Sequence, residues 1–378
     1  MHEMKILIVT PIFPPEIGGP ATYTWELTHR LKNHDVSVVA FGDKSDELAG
    51  SHLLKVRKGF SRKIPVIGSF IRQMDLYFSI LKHGRDCDLI YLQGPLVVGY
   101  FGSLAAKKLK KPIVMKFVGD IAWETASSNG KTDKNLDEFL ESGGGGFLRK
   151  LQLKSFHRAD AIVVPSEYLR DILCNYYSVP TTKIDVIYNA VSVPEPDKKL
   201  GEDKSVVTVG RLVKHKNIAG IIEAMSLLQN HAPKLVVVGS GPELNNLKSL
   251  ASQLGLADRV VFKGALSRRE TLREVANADL FVLNSIYEGL PHTVVEAMYL
   301  KTPVVASDIL GTTEVANEKT ATLAESKNAE DLAKKIEAAL SNPDTNKTEE
   351  AYKFVSGKFN WERNLYLLES LFSRLCRK

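Results

Sequence analysis

At 378 residues the chain exceeds what a single hydrophobic core normally holds, so two domains are expected. Hydrophobic residues make up 44% and charged residues 25%, an ordinary globular balance, and no apolar stretch approaches the ~20 residues that a membrane-spanning helix needs. The net charge of +6 is modest, no nucleic-acid-binding module is recognisable, and Cys87, Cys174 and Cys376 lack metal spacing, a sparse set that fits a reducing, cytoplasmic setting. Met1-His-Glu-Met-Lys-Ile runs straight into an apolar stretch, an opening expected to leave no room for a signal peptide.

In chain order, Ile6-Leu-Ile-Val9, Val36-Ser-Val-Val-Ala40, Leu89-Ile-Tyr-Leu92, Ile113-Val-Met-Lys-Phe117 and Ala161-Ile-Val-Val164 read as buried strands. Amphipathic stretches at 21–32 and 98–110 lie between them. This alternation predicts an α/β fold built on a doubly wound parallel sheet. Gly18 and Gly19 follow the first strand. They make either a simple tight turn or a place where backbone approaches a phosphate, although the Gly-x-Gly-x-x-Gly fingerprint is absent.

Residues 55–72 carry Lys55, Arg57, Lys58, Arg62, Lys63 and Arg72 with no acid, interleaved with Phe60, Ile64, Val66, Ile67, Phe70 and Ile71. Lys107, Lys108, Lys110 and Lys111 form a second basic cluster. Such a mixture suits an anionic membrane surface, and equally a solvated basic face beside an ordinary core helix. Asp86-Cys-Asp88 has the Asp-x-Asp form of a metal motif but precedes its strand, so it reads as a helix-to-strand turn. Residues 125–135 and Ser142-Gly-Gly-Gly-Gly146 are polar and Gly-rich, either a mobile acceptor loop or a surface insertion.

A polar, Pro-bearing segment at 194–204 is the expected linker between a first domain at 1–193 and a second at 205–345. Val206-Val-Thr-Val209, Leu235-Val-Val-Val238, Val260-Val-Phe262, Leu280-Phe-Val-Leu283 and Val304-Val-Ala306 repeat the strand pattern. Residues 346–378 read as a crossover segment ending in a helix at 361–375.

Chemistry concentrates after two of these strands. Arg211 and Lys216, in Gly210-Arg-Leu-Val-Lys-His-Lys216-Asn217, stand where a strand's loop enters a helix, and two cations there can grip a diphosphate and stabilise its charge as it leaves. Asn217 reads as the helix cap. After Leu283 comes Glu288-Gly-Leu-Pro-His-Thr-Val-Val-Glu296. Pro291 suits the first helical turn, Glu288 the loop before it, and Glu296 a position about one turn inside. The backbone of Gly289, Leu290, His292 and Thr293 offers N–H groups, an anion site at a helix N-terminus. Carboxylates beside an anion site suit a ligand that is both phosphorylated and hydroxyl-rich, as a nucleotide sugar is. His292 reads as a helix-start residue rather than a base.

These segments, together with Pro14-Pro15, Val164-Pro-Ser166, Ile187-Tyr-Asn189, Ala278-Asp279 and Gly311-Thr-Thr-Glu314, resemble the retaining glycosyltransferases of glycosyltransferase family four nearly end to end. The resemblance implies the GT-B architecture, two facing Rossmann-like domains with an interdomain cleft, and the final helix packing back on the first domain. It implies transfer from a nucleoside-diphosphate sugar to a glycan or lipid-linked acceptor, without metal or other cofactor and with the anomeric configuration kept. Glu296 matches the residue that binds the ribose hydroxyls and Glu288 the residue facing the donor sugar. Many members carry a His at or next to Gly119; here Val118 precedes Gly119, and Asp120 is the candidate to contact sugar or acceptor, or else a structural loop residue. An epimerase or hydrolase of nucleotide sugars, or a non-catalytic nucleotide-sugar-binding protein, is the alternative. The expected location is cytoplasmic, with a peripheral position on the inner face of the membrane.

Overall fold

A computed structural model describes residues 3–14, 16, 18–42, 47–48, 51–57, 65–193, 204–228 and 233–377. The chain divides into two compact units, the first comprising Met1–Glu124, Phe139–Ile187 and Asn364–Lys378, the second Thr125–Glu138 and Tyr188–Arg363. Along the chain the main breaks between these units fall at Ile187/Tyr188 and at Arg363/Asn364, and residues 125–138 go with the second unit. Ala351, Val355 and Phe359, on and just after helix Thr345–Lys358, are buried in the core of the second unit with Val294 and Met298. The linker expected at 194–204 lies, but for Lys204, outside the described residues.

The first unit is an eight-stranded sheet of β1 (Lys5–Thr10), β2 (Asp35–Gly42), β3 (Glu47–Leu48), β4 (Ser51–Arg57), β5 (Leu89–Leu92), β6 (Ile113–Lys116), β7 (Ala161–Val164) and β8 (Ile184–Val186), ordered β3-β4-β2-β1-β5-β6-β7-β8. All pairings are parallel except β3 with β4. The closing helix Trp361–Cys376 joins this unit from Asn364 onward. Phe372 packs its ring edge-on to Tyr91 at 5.5 Å, and Arg374 pairs with Asp185 at 2.8 Å. Asp88 is a strand-start residue, its carboxylate accepting the Lys5 N–H at 2.7 Å. Of the basic segment, residues 55–57 fall on β4 and residues 65–72 on helix Pro65–His83, while residues 58–64 and most of the remaining side chains lie outside the described residues.

The second unit is a parallel sheet of β9 (Ser205–Val209), β10 (Lys234–Val238), β11 (Val260–Gly264), β12 (Leu280–Leu283), β13 (Val304–Ser307) and β14 (Thr322–Ala324), ordered β11-β10-β9-β12-β13-β14. Successive residues of β12 feed opposite cores. Leu280 and Val282 pack with Ile221, Ile222 and Ile336, while Phe281 and Leu283 pack with Val294, Met298 and Phe359. Burial on both faces is why the run is apolar throughout rather than alternating. The order places β9 between β10 and β12, so the connections leaving β9 and β12 diverge to opposite faces, which opens a crevice at their carboxyl ends.

Candidate active site

Three segments of the second unit meet at that crevice. The first leaves β9 as Gly210-Arg211-Leu212 and turns through a short 3-10 helix at Lys214–Lys216. Asn217 then adopts φ 46°, ψ 44°, a left-handed conformation that asparagine tolerates better than most residues. Its side chain caps helix Ile218–Leu227 by accepting the Gly220 N–H, the role its sequence position suggests. Arg211 is exposed at the lip of this loop, whereas His215 is buried.

The second segment, which no motif announced, is Gly239-Ser-Gly241 after β10. It braces the loop: Gly210 N–H donates to Val238 O and Leu212 N–H to Ser240 O, both at 3.0 Å. Gly239 has φ +143°, and a Cβ there would sit 1.8 Å from the Gly210 carbonyl oxygen, so only glycine fits. The strand before it and the paired glycines were the sequence signal that could have found it.

The third leaves β12 as Asn284-Ser285-Ile286-Tyr287-Glu288 and enters helix His292–Tyr299. Ile286 N–H donates to His215 O at 2.8 Å, which sews it to the first segment. Glu288 is only 7% exposed, and its Oε1 receives both Lys216 Nζ at 2.5 Å and Ser285 Oγ at 2.6 Å. Ser285 is in turn fixed through its carbonyl, which accepts the Ser307 hydroxyl at 2.7 Å. A cation and a hydroxyl thus offset the cost of burying this carboxylate. Burial, reinforced by the positive charges of Lys216 and Arg211 against a weaker opposing effect of Glu288, lowers the His215 pKa from 6.5 to about 4. The imidazole is therefore neutral at neutral pH.

Pro291 is the residue just before the helix rather than its first, with φ −80° and ψ 87°, and its carbonyl accepts the N–H groups of Val294 and Val295. The His292 N–H donates to Leu290 O at 3.0 Å, so this predicted donor is engaged locally, and the ring Nε2 lies 2.9 Å from Asn189 Nδ2. Glu296 is one turn inside the helix, its side chain 12% exposed. Arg268, another residue the sequence did not single out, places Nη1 2.8 Å from Glu296 Oε1. Burial raises the Glu296 pKa, and Arg268 opposes that shift.

Arg211, Lys216, Glu288 and Glu296 therefore belong to one unit, while Gly18, Gly19 and Asp120 belong to the other. Gly18 precedes and Gly19 opens helix Gly19–Arg30, whose first turn has no side-chain cap. Asp120 is fully buried: Oδ1 accepts the Trp123 N–H at 2.9 Å, and Oδ2 accepts from Gln152 at 3.3 Å and from the Tyr177 hydroxyl. That is the structural-loop alternative of the sequence reading, a carboxylate spent on the first turn of helix Ile121–Ser128. Polar residues 125–135 are partly helical, and a further helix, Leu136–Glu141, follows, its start held by reciprocal bonds between Asn135 and Glu138 at 2.9 and 3.0 Å.

Two family models match the chain, meeting at residues 193–194. Residues 17–194 match the family model described as Glycosyltransferase Family 4, and residues 193–358 match that described as Glycosyl transferases group 1. The chain is 26% identical to an uncharacterised glycosyltransferase of Methanocaldococcus jannaschii over 95% of either chain. It is also 26% identical to the alpha-monoglucosyldiacylglycerol synthase of Streptococcus pneumoniae, covering 99% of this chain and 88% of that one. Among solved structures, Anabaena HepE in complex with UDP and glucose aligns with a TM-score of 0.79 at 18% identity, over 98% of this chain and all of that one, a likeness of fold.

Proposed function

The chain is a glycosyltransferase of the family-four type with GT-B architecture, and from that premise we propose that it moves a sugar from a nucleoside diphosphate to a glycan or lipid-linked acceptor, with retention and without a metal ion. The observation that carries this reading is the Lys216–Glu288–Ser285 cluster beside Arg211, at the carboxyl ends of adjacent strands. In the proposed reaction Arg211 and Lys216 receive the diphosphate and stabilise its growing charge as the bond to the anomeric carbon breaks. The acceptor oxygen bonds to that carbon on the same face, and its proton passes to the departing phosphate oxygen. Glu288, held by Lys216 and Ser285, orients the sugar hydroxyls.

Glu296 accepts the ribose hydroxyls, and the backbone of Gly289, Leu290 and Thr293 faces the sugar or diphosphate. Gly18 and Gly19 supply phosphate contact from the first unit. Asp120 is left out of this chemistry because its carboxylate is fully buried and already engaged by Trp123, Gln152 and Tyr177. HepE crystallised with UDP and glucose supports a uridine-diphosphate sugar as the first donor to try, and the Streptococcus synthase supports a lipid acceptor. A cytoplasmic location with peripheral attachment to an anionic membrane belongs to the same proposal; no described helix is long and apolar enough to cross a membrane.

The test is an assay of nucleotide release from uridine- and guanosine-diphosphate sugars, with and without glycan and glycolipid acceptors, in the presence of EDTA. Acceptor-dependent release that survives chelation, with a product whose proton NMR coupling keeps the donor's anomeric configuration, is expected. Release independent of acceptor would point to a hydrolase. Loss under EDTA with rescue by magnesium or manganese would overturn the charge assignment, and an inverted linkage the mechanism.

A further inference from the structure

Arg268 opens helix Arg268–Asn277, whose start is fixed by a capping box between Ser267 and Glu270. Its guanidinium is held at two points, Nη1 by Glu296 Oε1 at 2.8 Å and Nη2 by the Ser192 carbonyl at 2.9 Å. Ser192 is anchored as well, its hydroxyl oxygen accepting the Trp361 indole N–H at 2.9 Å. The fork is thus set in place by segments far apart in sequence, all within the second unit. The side chain remains 44% exposed, while the carboxylate it meets is 12% exposed. A half-exposed cation pinned against a nearly buried acid is an arrangement with a directional consequence: the acid's charge depends on it.

We infer that Arg268 is a positioning and specificity-determining residue for the nucleotide, holding Glu296 in place as a carboxylate so that it reads the ribose diol. This rests on the assignment of Glu296 to the ribose made above. A carboxylate accepts hydrogen bonds at both oxygens, whereas its protonated form gives up part of that capacity to its own O–H. A site built to receive a hydroxyl rejects the analogue that lacks it, because its own polar group is then left unpaired. Glu296 kept charged by Arg268 therefore favours a ribonucleotide over its 2′-deoxy form.

The elements packed on helix His292–Tyr299 are β12, β13 and helices Arg268–Asn277 and Thr345–Lys358. The strands Leu280–Leu283 and Val304–Ser307 bring no charged residue. From the helices, Glu274 is paired with Lys263, Glu349 with Lys301 and Glu350 with Lys353, while Lys358 lies over the Tyr188 ring. His292 faces Asn189. Arg268 is the charge that acts on Glu296 among the described residues, and burial alone pushes its pKa up.

The experiment is calorimetric titration of the full chain with UDP or GDP, whichever binds wild type more tightly, and with its 2′-deoxy form, from pH 5.5 to 8.5. The readout is the ratio of the two affinities, in which titration of the phosphate itself cancels. Wild type should discriminate by about tenfold or more at every pH. R268M should lose most of that ratio at low pH and regain it as the pH rises through the raised pKa of Glu296. R268K should restore a flat profile, and R268Q should behave as R268M, guarding against a variant-specific packing defect. A ratio in R268M and R268Q that is unchanged and pH-independent, while E296A lowers ribonucleotide affinity, would overturn the inference and leave the ribose assignment standing. No effect in E296A would instead remove the ribose assignment itself.

Discussion

Replacing Lys216 by alanine perturbs two things that the structure joins in a single atom. Its Nζ lies 2.5 Å from Glu288 Oε1, and the carboxylate it neutralises is 7% exposed, with Ser285 Oγ as a second donor to the same oxygen. Removing one partner of a buried pair costs roughly 3–5 kcal/mol when both are sealed from water. The Lys216 side chain is 22% exposed, so water softens the loss, and about 2 kcal/mol of folding stability is the expected cost. For binding, a charge-assisted bond to phosphate contributes about 1.5–3 kcal/mol, which is roughly a 10- to 150-fold weaker diphosphate affinity. Bare nucleoside affinity should change less than threefold. Neutralising Glu288 as well should return part of the stability, since K216A/E288Q no longer buries an unpaired charge; the stability losses should therefore be sub-additive by about 1 kcal/mol or more. Urea unfolding supplies the stabilities, and calorimetry with nucleoside and nucleoside diphosphate supplies the affinities. Strict additivity of the stabilities, or equal losses for nucleoside and diphosphate, would refute the reasoning.

Three further outcomes are expected. His215 stays neutral in the fold down to about pH 4 while its unfolded form takes up a proton near 6.5, so stability should fall as pH drops through that window. The loss approaches about 3 kcal/mol at ~1.4 kcal/mol per pH unit, and urea midpoints for wild type and H215Q between pH 7 and 4 should show the steeper decline in wild type only. G239A places a Cβ 1.8 Å from the Gly210 carbonyl, so the Arg211 loop must shift; a stability loss of about 3 kcal/mol or more, with diphosphate binding lost in the protein that remains folded, should appear by thermal melts and calorimetry. D120A should lose about 3 kcal/mol of stability in urea while the folded protein keeps diphosphate affinity within twofold, because that buried carboxylate is engaged by Trp123, Gln152 and Tyr177.

The central strands were legible for a reason that also explains which strands were not. Leu280-Phe-Val-Leu283 is buried on both faces, so its composition alone marks it as a strand, and the same holds for Leu89–Leu92 and Ala161–Val164. Ile184–Val186 and Thr322–Ala324 are short sheet-edge strands, and Ser51–Arg57, which pairs with β2 on one side and only the two-residue β3 on the other, mixes charge with apolar residues. None produces a run long or uniform enough to read. At the site, Lys216 and Glu288 were readable as types of chemistry, but their pairing depends on strand order, which periodicity does not encode. Arg268 was less accessible still, because the partner that gives it meaning sits on another helix, although Ser267-x-x-Glu270 marked the helix start.

Strand order is also what turns these separate motifs into a site. Val206 and Val207 pair with Leu280 and Phe281, although the partners lie 74 positions apart in the chain. Because β10 lies on the other side of β9, the chain leaving β9 turns toward helix Ile218–Leu227 on one face, while the chain leaving β12 turns toward helix His292–Tyr299 on the other. No helix can then cover the gap between their carboxyl ends, and the loop residues that border it must satisfy one another or a ligand. Lys216, Ser285 and Glu288 satisfy one another. A diphosphate brings two competing effects to that arrangement: it offers Lys216 a more highly charged partner and leaves Glu288 in need of donors, which sugar hydroxyls can supply. On the proposed assignment, donor binding at this crevice is an exchange of partners. For the same reason a nucleoside diphosphate without its sugar should leave Glu288 the less well satisfied of the two, so in wild type the intact donor should bind more tightly than the bare diphosphate, and E288Q should narrow that difference, both read by calorimetry.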